Sequence, residues 1–296
     1  MSLVALGLVL GAAVSHATWN LAAKRASGGG AAFVWVYSVV STLVYLPLAV
    51  VFAQPLSLPA FAVILLSGSV HLGYFLLLQR GYAVGDLSVV YPLARGTGPL
   101  LSVIAAIVIL GDRPTYVALA GAGLVVAGIL VIGTGAAARG LTVEDSPGVV
   151  AAGSGHRLAG AWYGLAAGVL IASYTLLDAT AVKTFMIAPV FFDWTTNAMR
   201  LTLLTPYALR RRTRVAAVWR DRRREAFAVA VLGPLGYILV LYAFTLAPVS
   251  LVAPARELSI VVGALFGWWL LREPQPLRRL CGAAVVVAGV TALALS

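Results

Sequence analysis

Two arginines stand where a lipid bilayer would be least hospitable. Arg95 and Arg256 lie eight and seven residues inside the apolar runs 87–110 and 249–271. At a helical rise of about 1.5 Å per residue, each would sit roughly 10–13 Å deep. A charge at that depth costs about 2.5–3.5 kcal/mol even on the mildest insertion scale. Each follows a proline, Pro92 or Pro254, whose missing N–H frees a backbone carbonyl and can kink a helix. Two chemistries fit. Either each guanidinium satisfies such carbonyls and locks two helices together, or it lines a cavity and faces a solute.

A second constellation opens the chain. His16, Trp19, Asn20 and Lys24 share one helical face. Imidazole, indole and amide on one stripe cannot look at lipid tails, so they read as a cavity wall, while Lys24 snorkels to the interface. His16 alone would read as a core histidine. Asp193, Asn197 and Arg200 repeat the pattern farther on, and Tyr174 shares a face with Asp178. Gln79 and Tyr82 are three apart, with Tyr74 on a neighbouring stripe, and Tyr91 precedes Pro92. The expected solute-binding set is therefore His16, Trp19, Asn20, Tyr74, Gln79, Tyr82, Tyr91, Arg95, Tyr174, Asp193, Asn197 and Arg256. Inside the apolar runs Arg95, Arg200 and Arg256 stand against Asp178, Asp193 and Glu257, which permits complete internal pairing. A carboxylate left over would suit proton carriage, and Asp193 and Glu257 are the candidates.

These residues need elements to hold them, and composition says what kind. The chain is 61% hydrophobic and only 10% charged, against a usual charged share of about 25% in soluble domains. Ten runs reach bilayer length: 2–23, 31–53, 58–79, 87–110, 115–136, 159–182, 186–209, 226–246, 249–271 and 277–295. They lack the alternation of barrel strands, so an all-α multi-pass protein is expected. The net charge of +11 is concentrated, with eight arginines between Arg210 and Arg224. That segment reads as a loop at cytoplasmic headgroups rather than as a nucleic-acid surface. Lys and Arg counted over alternate loops place both termini outside the cytoplasmic (inner) membrane. The lone cysteine, Cys281, excludes a disulfide framework.

The strongest organising signal is internal. Asp86–Gly128 returns as Pro248–Gly289, with Ser88 and Pro92 recurring as Ser250 and Pro254. After one dropped residue, Arg95 recurs as Arg256, Asp112 as Glu273, Gly121 as Gly282, and Val125–Gly128 as Val286–Gly289. Five spans per repeat is an odd number, so the second repeat enters the membrane from the opposite face, as in secondary transporters. The expected organisation is a first repeat 1–136, a linker 137–158 and a second repeat 159–296. GxxxG pairs at Gly7/Gly11 and Gly164/Gly168 promise close helix packing. The chain holds no His-Glu-x-x-His, no Gly-x-Ser-x-Gly and no metal-ligand spacing. No enzyme chemistry, cofactor or metal is expected. An intramembrane enzyme, a lipid-handling protein and a non-transporting helper subunit are the competing readings.

At His16-Ala17-Thr18-Trp19-Asn20 with Lys24, at Gly85–Pro92, and at the turn Leu110-Gly111-Asp112-Arg113 mirrored by Leu271-Arg272-Glu273-Pro274, the chain resembles the EamA family of the drug/metabolite transporter superfamily. The resemblance runs over nearly the whole sequence. It implies ten transmembrane helices, as two inverted-topology five-helix repeats around a central cavity. It also implies efflux or exchange of a small organic solute by alternating access.

Overall fold

The fold comes from a computed structural model that describes residues 1–26, 29–84, 87–137, 154–271 and 276–296. The first half carries α1 (Leu3–Arg25), α2 (Gly30–Val51), α3 (Leu58–Val84), α4 (Leu87–Ile109) and α5 (Tyr116–Ala137). The second carries α6 (Ser154–Lys183), α7 (Pro189–Arg210), α8 (Arg212–Leu246), α9 (Val249–Ala255), α10 (Leu258–Leu271) and α11 (Pro276–Leu295). Among the described residues there is no strand. Five segments are long and apolar enough to cross a membrane: Leu3–Ala23, Gly30–Val51, Leu58–Leu78, Ala159–Lys183 and Arg212–Leu246. Shorter apolar helices cover Leu93–Ile109, Tyr116–Ile132 and Leu280–Leu295. Hydroxyl residues survive in this setting by donating to the carbonyl one turn back, as Thr42 does to Ser38 and Thr175 to Ile171.

Two expectations about the elements need correction. The basic stretch 210–224 is not a loop, because α7 runs to Arg210 and α8 starts at Arg212. Arginine is a good helix former, and no proline or glycine interrupts the chain before Gly233. The helical path breaks instead at Arg222, at φ −132° and ψ 20°, whose Nη1 donates 3.0 Å to Arg25 O at the end of α1. The ninth span is likewise two helices, α9 and α10. Pro254 lacks an N–H, and the backbone tightens after it. Glu257 N donates to Pro254 O at 3.1 Å, Ser259 N to Arg256 O at 3.3 Å and Ile260 N to Glu257 O at 2.9 Å, each three residues back. Most of the expected linker, 138–153, lies outside the described residues, and α6 starts at Ser154.

Packing divides the chain into two compact units that do not coincide with the sequence repeats. The first holds Met1–Ser2, Val70–Leu176 and Ala247–Ser296, and the second Leu3–Ser69 and Leu177–Leu246. In the first unit α5 lies against α11, glycine to glycine. A Cβ built on Gly121 would meet Gly289 O at 2.8 Å, and one on Gly128 would meet Gly282 O at 2.7 Å. One sequence rises as the other falls, so the two helices are antiparallel. Gly111, at φ 73°, ends α4 in the left-handed conformation that glycine adopts cheaply. Beyond it Asp112 N reaches Ala106 O at 3.1 Å, closing the helix end. The Asp112 carboxylate then accepts from Ser250 N at 2.9 Å, at the start of α9. A negative charge there meets the positive end of the helix dipole.

In the second unit α1 packs on α8, and α2 packs on both α7 and α8. Carbonyls just ahead of Pro234 in α8 take hydroxyl bonds from neighbouring helices. Ser15 donates to Leu232 O and Tyr45 to Val231 O, each at 2.7 Å. Gln54 ties two connections together, its Nε2 donating to Met186 O at 3.2 Å and its Oε1 accepting from Ala188 N at 3.0 Å. The expected close packing at Gly7 is not there, since a Cβ on it would meet nothing within 4 Å. Gly164 does meet its neighbour closely, at 2.9 Å from Val90 O.

Candidate functional site

In the first unit the break between α9 and α10 turns Arg256 and Glu257 inward, and both are buried, at 7% and 1% exposure. Arg95, from α4, donates through Nη1 to Glu257 Oε2 at 3.2 Å and approaches Oε1 at 3.4 Å. Arg256 Nε lies 3.4 Å from the same Oε1. The two repeat-related arginines therefore converge on one carboxylate. The repeat offset explains why there is only one, because the position equivalent to Glu257 is Gly96. The arginines differ in access, Arg95 keeping 24% of its side chain exposed while Arg256 is closed in.

An aromatic platform adjoins the pair. The Arg256 guanidinium stands 5.8 Å from the centroid of the Tyr174 ring, within cation–π range. His71 stacks on the same ring at 4.0 Å and 26°, and Tyr74 meets it edge-on at 5.8 Å. Ala94, Ala167 and Ile171 back the platform from α4 and α6. A forked cation over aromatic faces can hold a flat or anionic group in a fixed orientation.

The second unit carries the remaining polar groups. On α1, Trp19 Nε1 donates to His16 Nδ1 at 2.9 Å, and Asn20 Nδ2 donates to His16 O at 2.7 Å. Of the predicted face, His16 and Trp19 thus form a local pair, their rings 6.1 Å apart and edge-on. On α7, Asn197 Nδ2 is committed to α2, reaching Ser38 O at 3.3 Å and Thr42 Oγ1 at 2.9 Å. Asp193 lies one turn earlier and is buried. Asp178 is wholly enclosed, its carboxylate accepting from the hydroxyls of Ser67 on α3 and Tyr237 on α8.

The structure thus gathers Tyr74, Arg95, Tyr174, Arg256 and Glu257 in one unit, and His16, Trp19, Asn20, Asp193 and Asn197 in the other. The side chains of Gln79, Tyr82 and Tyr91 lie outside the described residues. Sequence reasoning missed His71, although its place three residues before Tyr74 puts the two rings on one face. Ser67 and Tyr237 carried no signal, because their meeting at Asp178 joins positions far apart in sequence. Among the described residues no three of His, Cys, Asp and Glu come together as metal ligands would.

Comparison with known proteins sets this geometry in context. The model of the EamA-like transporter family matches residues 3–134 and 158–295, one match per repeat. A solved crystal structure is similar with a TM-score of 0.73 at 15% identity, over 98% of this chain and 96% of that one. At that identity the likeness speaks for the fold alone. No curated protein matches the chain.

Proposed function

The chain belongs to the EamA-like transporter family, and from that premise we propose that it is a secondary transporter moving a small organic solute by alternating access. It is a multi-pass membrane protein. Efflux or exchange across the cytoplasmic membrane is the direction favoured by the family resemblance. The observation that carries the reading is the meeting of Arg95 and Arg256 on Glu257. Such charges are expensive in lipid and mark solute pathways by default. Two repeats related by inversion would bring their equivalent positions together at the bilayer middle, where secondary transporters bind.

Three supporting roles follow. His71, Tyr74 and Tyr174 present aromatic faces to the solute beside Arg256, and the proposed repeats are 1–136 and 159–296. In the second unit His16, Trp19, Asn20, Asp193 and Asn197 are the polar groups that α1 and α7 offer a solute within that unit. The arginine-rich start of α8 lies along anionic headgroups, with half-exposed Trp219 as an interfacial anchor. Counterflow of radiolabelled solutes in proteoliposomes tests the proposal. Flux is expected to saturate and to fall at least tenfold in Arg95→Ala and Arg256→Ala. Full flux in both variants at normal expression would remove the pair from the solute path.

A further inference from the structure

Two guanidinium groups share one carboxylate in the first unit, and the sharing is loose. Arg95 Nη1 lies 3.2 Å from Glu257 Oε2 and 3.4 Å from Oε1, while Arg256 Nε lies 3.4 Å from the same Oε1. A carboxylate that meets one planar fork squarely closes to about 2.7–2.9 Å. It offers about four lone-pair sites, whereas each guanidinium carries about five N–H donors. Glu257 therefore saturates neither fork. The other acids of the apolar runs, Asp178 and Asp193, belong to the second unit, and the repeat equivalent of Glu257 is Gly96.

Access to this cluster is one-sided. Arg95 keeps part of its side chain exposed, while Arg256 and Glu257 are buried. Glu257 is carried on the break between Ala255 and Leu258, so its arm can swing away from Arg95 without opening a helix. Half-buried His71 and Tyr74 flank the Tyr174 ring on which the Arg256 guanidinium rests. A solute that draws Glu257 off Arg95 has to bring a negative charge in its place, because a buried ion stripped of its partner is strongly destabilising. A neutral solute offers no replacement, and a cation adds to the repulsion.

We propose that the solute of this site is an organic carboxylate, and that Glu257 is its internal stand-in. Glu257 holds Arg95 and Arg256 until the solute's own carboxylate displaces it from Arg95. The group already lying between the two forks is the template for the one that replaces it, and the aromatic flank suits a flat ring on the same molecule. The solute class rests on the transporter reading, whereas carboxylate binding at the two arginines does not.

Thermal titration of the purified full chain in detergent tests the site, with benzoate as probe and benzamide as its neutral isostere. A ligand of the folded state raises the melting temperature with its concentration. An internal competitor weakens apparent affinity by the fraction of time it fills the site, so Glu257→Gln is expected to bind benzoate about tenfold more tightly than the native chain. Benzamide should have no such effect, and Arg95→Gln should lose the benzoate response. Benzoate acting no better than benzamide in Glu257→Gln, or a benzoate response that survives Arg95→Gln, would overturn the proposal. So would inorganic phosphate matching benzoate at equal ionic strength. Should Glu257→Gln not fold, Glu257→Asp, whose arm is one methylene shorter, decides by the same comparison. Benzoate binding of this kind without counterflow of any tested solute would count against the transporter reading and leave the carboxylate site standing. Saturable counterflow with no benzoate binding would do the reverse.

Discussion

Glu257 is the residue on which the most depends, because one buried carboxylate serves two guanidinium groups. Removing either arginine leaves the glutamate with the other. Removing the glutamate takes from two cations the carboxylate they share, and one of them, Arg256, is buried. Breaking a buried pair by deleting one partner typically costs about 3–5 kcal/mol. Glu257→Gln should therefore lower the melting temperature in detergent more than Arg95→Gln does. Equal shifts for the two variants would mean that the carboxylate is not shared. The arginines themselves were plain in the sequence, since charges so deep in apolar runs stand out. Their common partner was less plain, because three acids were available and nothing in a linear pattern says which of them turns toward which arginine.

At the scale of elements, the α5–α11 seam shows what the repeat means physically. Gly121 meets Gly289 and Leu293, while Gly282 meets Gly128 and Ile132, so each contact recurs as its own counterpart. An added Cβ at Gly289 would come within 2.6 Å of Gly121 O, and one at Gly282 would lie 3.0 Å from Gly128 O. Backbone cannot yield as a side-chain tip does, so overpacking costs of about 1–3 kcal/mol are expected. Gly289→Ala and Gly282→Ala should both lower the melting temperature, whereas Gly7→Ala, with open space around it, should leave it unchanged or raise it. A Gly7→Ala loss as large as that of Gly289→Ala would contradict the seam. The repeat and its heptad-spaced glycines were legible as sequence, but the break at Arg256 and Glu257 was not. A single hydropathy run hides it, and only the missing N–H of Pro254 hinted that the ladder would tighten there. The arginine-rich segment misled for the opposite reason. Dense charge between apolar runs reads as a loop, although arginine is a good helix former.

For the whole molecule, the two compact units each draw on both repeats, one from α4, α5 and α9 to α11, the other from α1, α2, α7 and α8. Sequence comparison finds copies, whereas packing groups whatever buries surface together, and the two criteria need not agree. Helices α3 and α6 are the elements that the division cuts, at Ser69 and Leu176. The proposed ten crossings, with the basic connections on the cytoplasmic side, would leave both ends of the chain on the other face. In a Cys281→Ser background, single cysteines appended at each end should react with a membrane-impermeant maleimide added outside intact cells. Labelling of one end alone would require an odd number of crossings and would undo the inversion.

The antiparallel glycine seam has a further consequence. A surface that fits its own copy back to back already meets the geometric condition for an isologous dimer. Two separate five-helix chains, inserted in opposite senses, could have joined along this face with every contact made twice. Joining them in one polypeptide would free each copy to diverge, and Glu257, whose counterpart in the other copy is Gly96, is a difference that a dimer of identical chains cannot keep.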